Sequence, residues 1–579
     1  MNNSIETKPD VKLDKFAIAS ALRETGTLLN VKGENAYKAR AYLAGAKAVE
    51  SAQLDIRRLV EEERLTELPC IGASLAAYIT DLYNTGETKL LSHLREQLPP
   101  GVMELSRVEG LTLKRIEILH NELGIKNLDE LEEACRAGKV REIKGFGLRT
   151  EKALLKAIDI SKIADSQTLL VDVLEVAEEL LHFMKAALKT DRISLAGELR
   201  RWHETTDRIC LVVETINQEA AFNAFKKFSQ VTKVDDATDD MMRVNLSLGI
   251  TAELHITENL ALGLIEHTGS KEHYEQLQNI AEKQKLTLAP GELKKGRQII
   301  EIKDEADFYG ALKLPFIAPE LREGEKEISM AKKGAFADLI EIGHIQGMTH
   351  CHSTFSDGRH SIEQMARAAE KMGMKYITLT DHSPTAHYAG GLDIDRLKEQ
   401  WEEIDRVQEL VKIRILKGTE CDILADGKLD YPDHILDKFD IIVASIHSRY
   451  KQNEEQMTRR LLRGLKDKHF KVWGHPLGRL VLKRDPIPVD VEKLLDAVAE
   501  ARLAIEINGD PHRLDLEPRW PKLAKERGLR FVISTDAHAT SELQNLKFGI
   551  HLARRAGITK DDVLNTMPVE QFKEIVKAK

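Results

Sequence analysis

The sequence predicts a multidomain α/β protein with a helical N-terminal region, a mixed α/β middle and a C-terminal region of βα units around a parallel sheet or barrel. Three observations predict it. Up to residue 160, apolar side chains recur at helical spacing between short glycine turns. From 161 to about 325, β-branched strand-like runs alternate with helices. Beyond about 340, short apolar strands alternate with amphipathic helices. The 579 residues suit three to five domains at roughly 100–200 residues each.

In the first region Phe16, Ile18, Ala19 and Leu22, and later Ala153, Leu154, Ala157 and Ile158, mark helix faces. Turns at Cys70-Ile71-Gly72, Glu109-Gly110-Leu111 and Lys144-Gly145-Phe146-Gly147 each precede a helix-forming stretch, so a helix–hairpin–helix unit recurs. The last of these helices is expected to open at Thr150-Glu151-Lys152 and to bury Leu154 and Leu155. Glycine lets backbone approach a phosphate closely, and N–H groups at the following helix start bind it. Gly72, Gly110, Gly145, Gly147 and Lys144 are therefore the candidate DNA contacts. The middle turn lacks the second glycine and is the weaker copy; a plain helix connection is the alternative reading of any one turn.

In the middle region strands are expected at 192–196, 209–213, 243–248 and 252–256. The highly charged stretch 321–333 reads as a linker. The strands expected further on are 376–380, 413–416, 441–444, 503–507 and 531–534, with helices at 361–372 and 491–501. His350 and His352 fall on one face of a strand by the period-two rule. Asp357, His382, Glu420, His447, His475, Asp536 and His538 follow successive strands. Carboxylates and imidazoles thus collect where a βα barrel builds its active site. Nine N/O donors without thiolates exceed what one ion uses and suit two or three divalent ions, Mn²⁺, Zn²⁺ or Fe²⁺. Such a set clamps a phosphate and makes water a nucleophile near neutral pH.

Composition limits the partners. Lys+Arg 85 against Asp+Glu 94 gives a formal net charge of -9, which excludes a basic nucleic-acid coat and makes any phosphate contact local. No apolar run reaches the roughly 20 residues of a membrane helix. The five cysteines, Cys70, Cys135, Cys210, Cys351 and Cys421, form no CxxC pair. A reduced, cytoplasmic protein with no membrane partner is expected.

The segments His350-Cys351-His352-Ser353, Thr380-Asp381-His382-Ser383, Ala444-Ser445-Ile446-His447-Ser448, Gly474-His475-Pro476, Glu506-Ile507-Asn508 and Ser534-Thr535-Asp536-Ala537-His538 resemble the PHP (polymerase and histidinol phosphatase) family. The resemblance implies a distorted (β/α)7 barrel with up to three metals: one on His350, His352, Glu420 and Asp536, one on Glu420, His447 and His475, one on Asp357, His382 and His538. No ligand position is missing. Hairpins, mixed domain and barrel in this order resemble the bacterial family X DNA polymerases. That likeness includes Gly197-Glu198-Leu199-Arg200-Arg201 and Glu204 on a nucleotidyltransferase-like palm, His267-Thr268-Gly269-Ser270-Lys271 before the thumb, and Tyr309-Gly310-Ala311-Leu312 with the segment 314–322.

Where that family carries Gly-Asp-Ile-Asp, this chain has Asp207-Arg208-Ile209-Cys210. Aligned without a gap, the two metal-binding aspartates become Arg208 and Cys210, and Glu253 takes the third acidic position. A one-residue slip saves Asp207 but leaves Ile209. Arginine cannot ligate Mg²⁺, and cysteine is too soft for it. The expected domains are 1–90 and 91–160 (helical, each with a hairpin; the second fingers-like), 161–325 (degenerate palm and thumb), 326–340 (linker) and 341–579 (PHP phosphoesterase). The expected function is a DNA-binding, metal-dependent phosphodiesterase, a 3′–5′ exonuclease in repair acting on gapped DNA or 3′ ends; the polarity is implied by the resemblance. The alternatives are an active family X polymerase/exonuclease, a phosphomonoesterase and a non-catalytic DNA scaffold.

Overall fold

The computed structural model describes residues 13, 15–33, 36–50, 56–108, 110–247, 249–450 and 452–577. Of the features singled out in the sequence, Glu109, Leu248 and the Phe16 side chain lie outside the described residues. The chain divides into two compact units, 1–167 with 222–238 and 242–252, and 168–221 with 239–241 and 253–579.

In the first unit three turns share one backbone course. Each closes with a bond to the residue three before it: Ile71 N to Leu68 O, Leu111 N to Val108 O, and Phe146 N to Ile143 O. The residue before each of these amides is left-handed: Cys70 at φ 63°, Gly110 at 88° and Gly145 at 95°. Ile71, Leu111 and Phe146 are buried, pinning each turn to the helical core. An extended residue, Gly72, Thr112 or Gly147, then caps the helix Ala73–Thr85, Leu113–Leu123 or Leu148–Ser166. The weaker middle turn therefore has the same shape as its neighbours, because threonine reaches the extended cap conformation as readily as glycine. The last helix opens at Leu148, two residues before the expected start, and buries Glu151, which accepts from the Arg141 amide at 2.9 Å.

The second unit begins with the short strand Thr168–Leu169 and helix Leu170–Leu188. Strand Ile193–Ala196 then pairs antiparallel with Arg208–Glu214, whose other neighbour is Thr251–Thr257. A helical subdomain follows, centred on buried Leu262, Ile265, Leu277, Phe308, Tyr309 and Leu312. The stretch 321–333 is not a loose linker. It carries helix Glu327–Lys332, and Arg322, Glu327, Ile328 and Ala331 are buried. Its charges pair inward: Arg322 with Glu305 at 2.5 Å and Glu327 with His273 at 2.6 Å.

The last part is a near-closed barrel of seven parallel strands in sequence order: Gly347–Cys351, Tyr376–Leu379, Arg414–Asp422, Ile441–Ser445, Val472–Trp473, Ala504–Asn508 and Arg530–Ser534. The strands are buried on both faces, which is why they read as unbroken apolar runs. Helices Ile362–Lys371 and Val491–Ala501 lie where the sequence puts them. The seam between first and seventh strands is bridged by Thr349 Oγ1 to Ile533 O (3.1 Å), by His352 N to Ala537 O (2.8 Å) and by Asn565, whose amide donates to Gly347 O and Ile533 O. Among the described residues no helix is long and apolar enough to cross a membrane.

Within this unit the barrel is tied to the segments before it by buried polar contacts. Trp202 stacks on His551 at 3.7 Å, Glu204 accepts from Arg479 at 2.7 Å, and Glu320 accepts from Arg554 (2.7 Å) and His551 (2.8 Å). Burial would raise the Glu320 carboxyl, yet His551 and Arg554 hold it at about 2. A carboxyl depressed in the fold stabilises fully above its ordinary pKa and loses that contribution as pH falls through the folded value. Glu320→Gln is therefore expected to destabilise the second unit by about 3 kcal/mol at pH 7. In urea unfolding of both proteins, that gap should narrow steadily from pH 4.5 downward toward the folded value of about 2.

Candidate metal centre

All nine expected donors gather at the C-terminal mouth of the barrel, but not by regular pleating. The first strand slips register between Met348 and Cys351, and His350 is left-handed at φ 57°. His352 lies beyond the strand end, so period two is the wrong reason for its convergence with His350. The bulge re-aims His350 instead, and the two rings lie 5.3 Å apart. His475 and Asp536 also have positive φ, 21° and 51°. Such conformations persist where surrounding contacts over-determine them. Glu420 lies inside the third strand, which runs to Asp422 and not only to Leu416. That strand changes partner midway, pairing 414–417 with the second strand and 418–422 with the fourth.

Glu420 is the hub. Its Oε2 faces His382 Nδ1 at 3.0 Å, His350 Nε2 at 3.3 Å and His352 Nε2 at 3.6 Å. Its Oε1 faces His475 Nε2 at 2.6 Å and His447 Nε2 at 3.1 Å. Asp536 Oδ1 lies 3.3 Å from His352 Nε2 and 3.5 Å from His350 Nε2. On the outer side, Asp357 Oδ1 lies 3.3 Å from His538 Nε2, 3.6 Å from His382 Nε2 and 3.8 Å from His352 Nδ1. Donors of His350, His352 and Asp536, of His382, Glu420 and His447, and of His352, Asp357, His382 and His538 each fall within 4.8 Å of one another.

Several residues not singled out as donors orient these. His350 Nδ1 donates to Glu506 Oε1 at 2.6 Å, which leaves Nε2 facing the cluster. His447 Nδ1 lies 3.1 Å from Asp422 Oδ1 with the same result. Glu506 also accepts from the His475 amide, and Asn508 donates to Asp536 Oδ2 at 3.2 Å. Asp381 accepts from the amide and hydroxyl of Ser353 at 2.8 and 2.6 Å. Arg513 Nε lies 3.4 Å from Asp536 Oδ2, and its Nε and Nη1 are buried without a hydrogen bond. Period two along the strands would have found Asp422 beside Glu420 and Asn508 beside Glu506.

Burial opposes charge throughout the cluster, and at Glu420 and His447 the neighbours overrule it. Glu420 is held well below the ordinary carboxylate range by His447, His350, His382 and His475. Glu420 and Asp422 raise His447 to about 10, whereas burial and two neighbouring imidazoles leave His382 at about 3. His352 Nδ1 and Nε2, His350 Nε2 and His382 Nδ1 are buried, face carboxylates and have no hydrogen bond. Orphaned imidazole nitrogens beside carboxylate oxygens, with no thiolate in the set, fit divalent ions of N/O preference.

Arg208, Cys210 and Glu253, the residues expected at the polymerase positions, also come together. Cys210 and Glu253 are buried on neighbouring strands, and Arg208 Nη1 lies 3.5 Å from Glu253 Oε1. In the first unit Gly72, Gly110, Gly145, Gly147 and Lys144 are exposed. A Cβ at Gly72, Gly145 or Gly147 would meet nothing within 4 Å, so packing does not demand these glycines.

Residues 349–510 match the family model of the PHP domain, 263–323 that of the DNA polymerase beta thumb, and 14–88 that of a helix-hairpin-helix domain. The chain is 32% identical over 572 residues to the DNA polymerase/3′-5′ exonuclease PolX of Bacillus subtilis (strain 168), covering 98% of this chain and 100% of that one. Over 244 residues it is 34% identical to a probable phosphatase of Thermoanaerobacter sp. (strain X514), 40% of this chain and 94% of the relative. Over 233 residues it is 28% identical to a probable phosphatase of Aliivibrio fischeri, 38% and 88% of the two chains.

Because Glu506 fixes the ring of His350, Glu506→Gln is expected to weaken metal binding by about 10–100-fold. Chelator competition on the purified protein measures this, and an unchanged affinity would remove Glu506 from the site.

Proposed function

The chain belongs to the bacterial family X DNA polymerases with a C-terminal PHP domain, and from that premise we propose that it is a metal-dependent 3′–5′ exonuclease of DNA repair whose palm no longer polymerises. The observation that carries the proposal is the full donor set around Glu420, set against Arg208 and Cys210 in the palm. DNA with gaps or free 3′ ends is the proposed substrate, held by the hairpin turns through backbone amides.

Two or three divalent ions, Mn²⁺, Zn²⁺ or Fe²⁺, would be held by His350, His352, Glu420 and Asp536, by Glu420, His447 and His475, and by Asp357, His382 and His538. When bound they supply a nucleophile at neutral pH and neutralise phosphoryl oxygens. The chain's own residues prepare the site. Glu506 and Asp422 fix the tautomers of His350 and His447. Arg513 brings a buried positive charge beside Asp536, suited to a phosphate oxygen. Asp357 is exposed and His538 part-buried, which makes their side the approach for the scissile linkage. In the palm, the Arg208 guanidinium stands against Glu253 where Mg²⁺ would have to bind.

The second reading, a phosphomonoesterase, is favoured by the two probable phosphatases. DNA labelled at either end, digested in Mn²⁺, Zn²⁺ and Mg²⁺, separates the two. The exonuclease shortens the strand from its 3′ end, and His352→Ala loses about 10³-fold in rate. A phosphomonoesterase removes only a terminal phosphate. On a gapped primer with Mg²⁺ or Mn²⁺ the protein should add no nucleotides; robust incorporation that survives Glu253→Ala would overturn the inactive palm.

A further inference from the structure

Outside the barrel one more set of unlike donors converges. Cys210 Sγ, a Glu253 carboxylate oxygen and a His255 imidazole nitrogen all lie within 4.8 Å of one another. Glu253 and His255 stand two apart on Thr251–Thr257 and so share a face, while Cys210 comes from the neighbouring strand Arg208–Glu214. Cys210 and Glu253 are buried and His255 is part-buried. We propose that the palm holds one borderline divalent cation of the Zn²⁺ class on Cys210, Glu253 and His255, in place of hard-ion chemistry.

The donor chemistry argues for this class. A thiolate, an imidazole and a carboxylate are the ligand types of Zn²⁺ sites, and three protein donors leave a fourth position for water. The two Glu253 oxygens divide their work: Oε2 lies 3.4 Å from His255 Nε2, on the donor side, and Oε1 lies 3.5 Å from Arg208 Nη1. Arg208 is also 3.7 Å from Asp207 Oδ1, so the guanidinium is shared between Asp207 and Glu253. The Cys210 thiolate with the Glu253 and Asp207 carboxylates then balances a dication and the guanidinium. Gly197, left-handed at φ 64°, keeps the facing backbone clear, since a Cβ there would sit 3.2 Å from Cys210 Cβ. The barrel offers no competing thiolate: Cys351 Sγ is directed at Thr349 O, Cys421 Sγ accepts from the Asp430 amide, and neither joins a donor cluster among the described residues.

The test uses the full-length apoprotein loaded with Co²⁺ and, separately, with Zn²⁺. Wild type is expected to show a near-ultraviolet thiolate-to-Co²⁺ charge-transfer band that Cys210→Ser loses and Cys135→Ser keeps. Elemental analysis should find one fewer retained Zn²⁺ per chain in Cys210→Ser and in His255→Asn than in wild type. Equal thermal midpoints of the apo forms show that the fold survives, and His255→Asn, at a part-buried position, carries the test where Cys210→Ser fails to fold. No band in wild type, a band that persists in Cys210→Ser, or equal Zn²⁺ content in wild type and the folded variants overturns the proposal.

Discussion

Glu420 is a fully buried carboxylate with five imidazole nitrogens between 2.6 and 3.6 Å of its two oxygens. Left alone, such a charge would cost on the order of several kcal/mol to bury. Much of the barrel mouth follows from meeting that demand. Imidazoles from the first, second, fourth and fifth strand ends have to reach one point, which regular strands cannot arrange. The bulge at His350 and the left-handed backbone at His475 supply the missing rotations, and left-handed Asp536 adds a second carboxylate facing His350 and His352. Glu506 then counterbalances the other side of His350, so that imidazole sits between two carboxylates.

How much of this was legible depended on what sets each feature. Donors at strand ends were legible because a βα barrel forces every C-terminal strand end to one mouth, whatever the loop geometry. The reason given for His350 and His352 was not, since a bulge leaves no mark in residue type. The third strand ran past its expected end because Gly418-Thr419-Glu420-Cys421-Asp422 contains polar residues, which periodicity counts as loop. Those polar side chains are buried by the site, not exposed by a turn. Glu506 and Asp422 act by holding the rings of His350 and His447, and residue type alone does not separate a carboxylate that holds an imidazole from one that ligates an ion.

The stretch 321–333 shows the same confusion of charge with exposure. Composition alone makes it a solvated linker. In the fold, Arg322 is fully buried and spans Glu305 and the carbonyl of Ile317, while Glu327 bonds His273, whose other nitrogen lies 2.9 Å from the Tyr309 hydroxyl. Each of these two buried charges has its partner outside the stretch, so no short sequence window contains both halves of a pair. Charge density predicts a flexible connection only when partners are absent, and partners are a property of tertiary structure.

The palm bears on the metal centre without touching a ligand. His475 sits on a loop whose next residues are held from two sides: Asp515 accepts from the amides of Leu477 (3.0 Å) and Gly478 (2.7 Å), and Arg479 reaches Glu204 (2.7 Å). Glu204 lies half-buried between Arg479 and Arg555, which hold its carboxyl low against the effect of burial. Removing Glu204 would leave two buried guanidinium groups short of a counter-charge, four residues from a donor that must meet Glu420 at 2.6 Å. None of that tethering needs Arg208, Cys210 or Glu253 to hold Mg²⁺. The segment before the barrel can therefore shape the barrel mouth whatever residues 208, 210 and 253 hold, which is a physical reason for the two to stay in one chain.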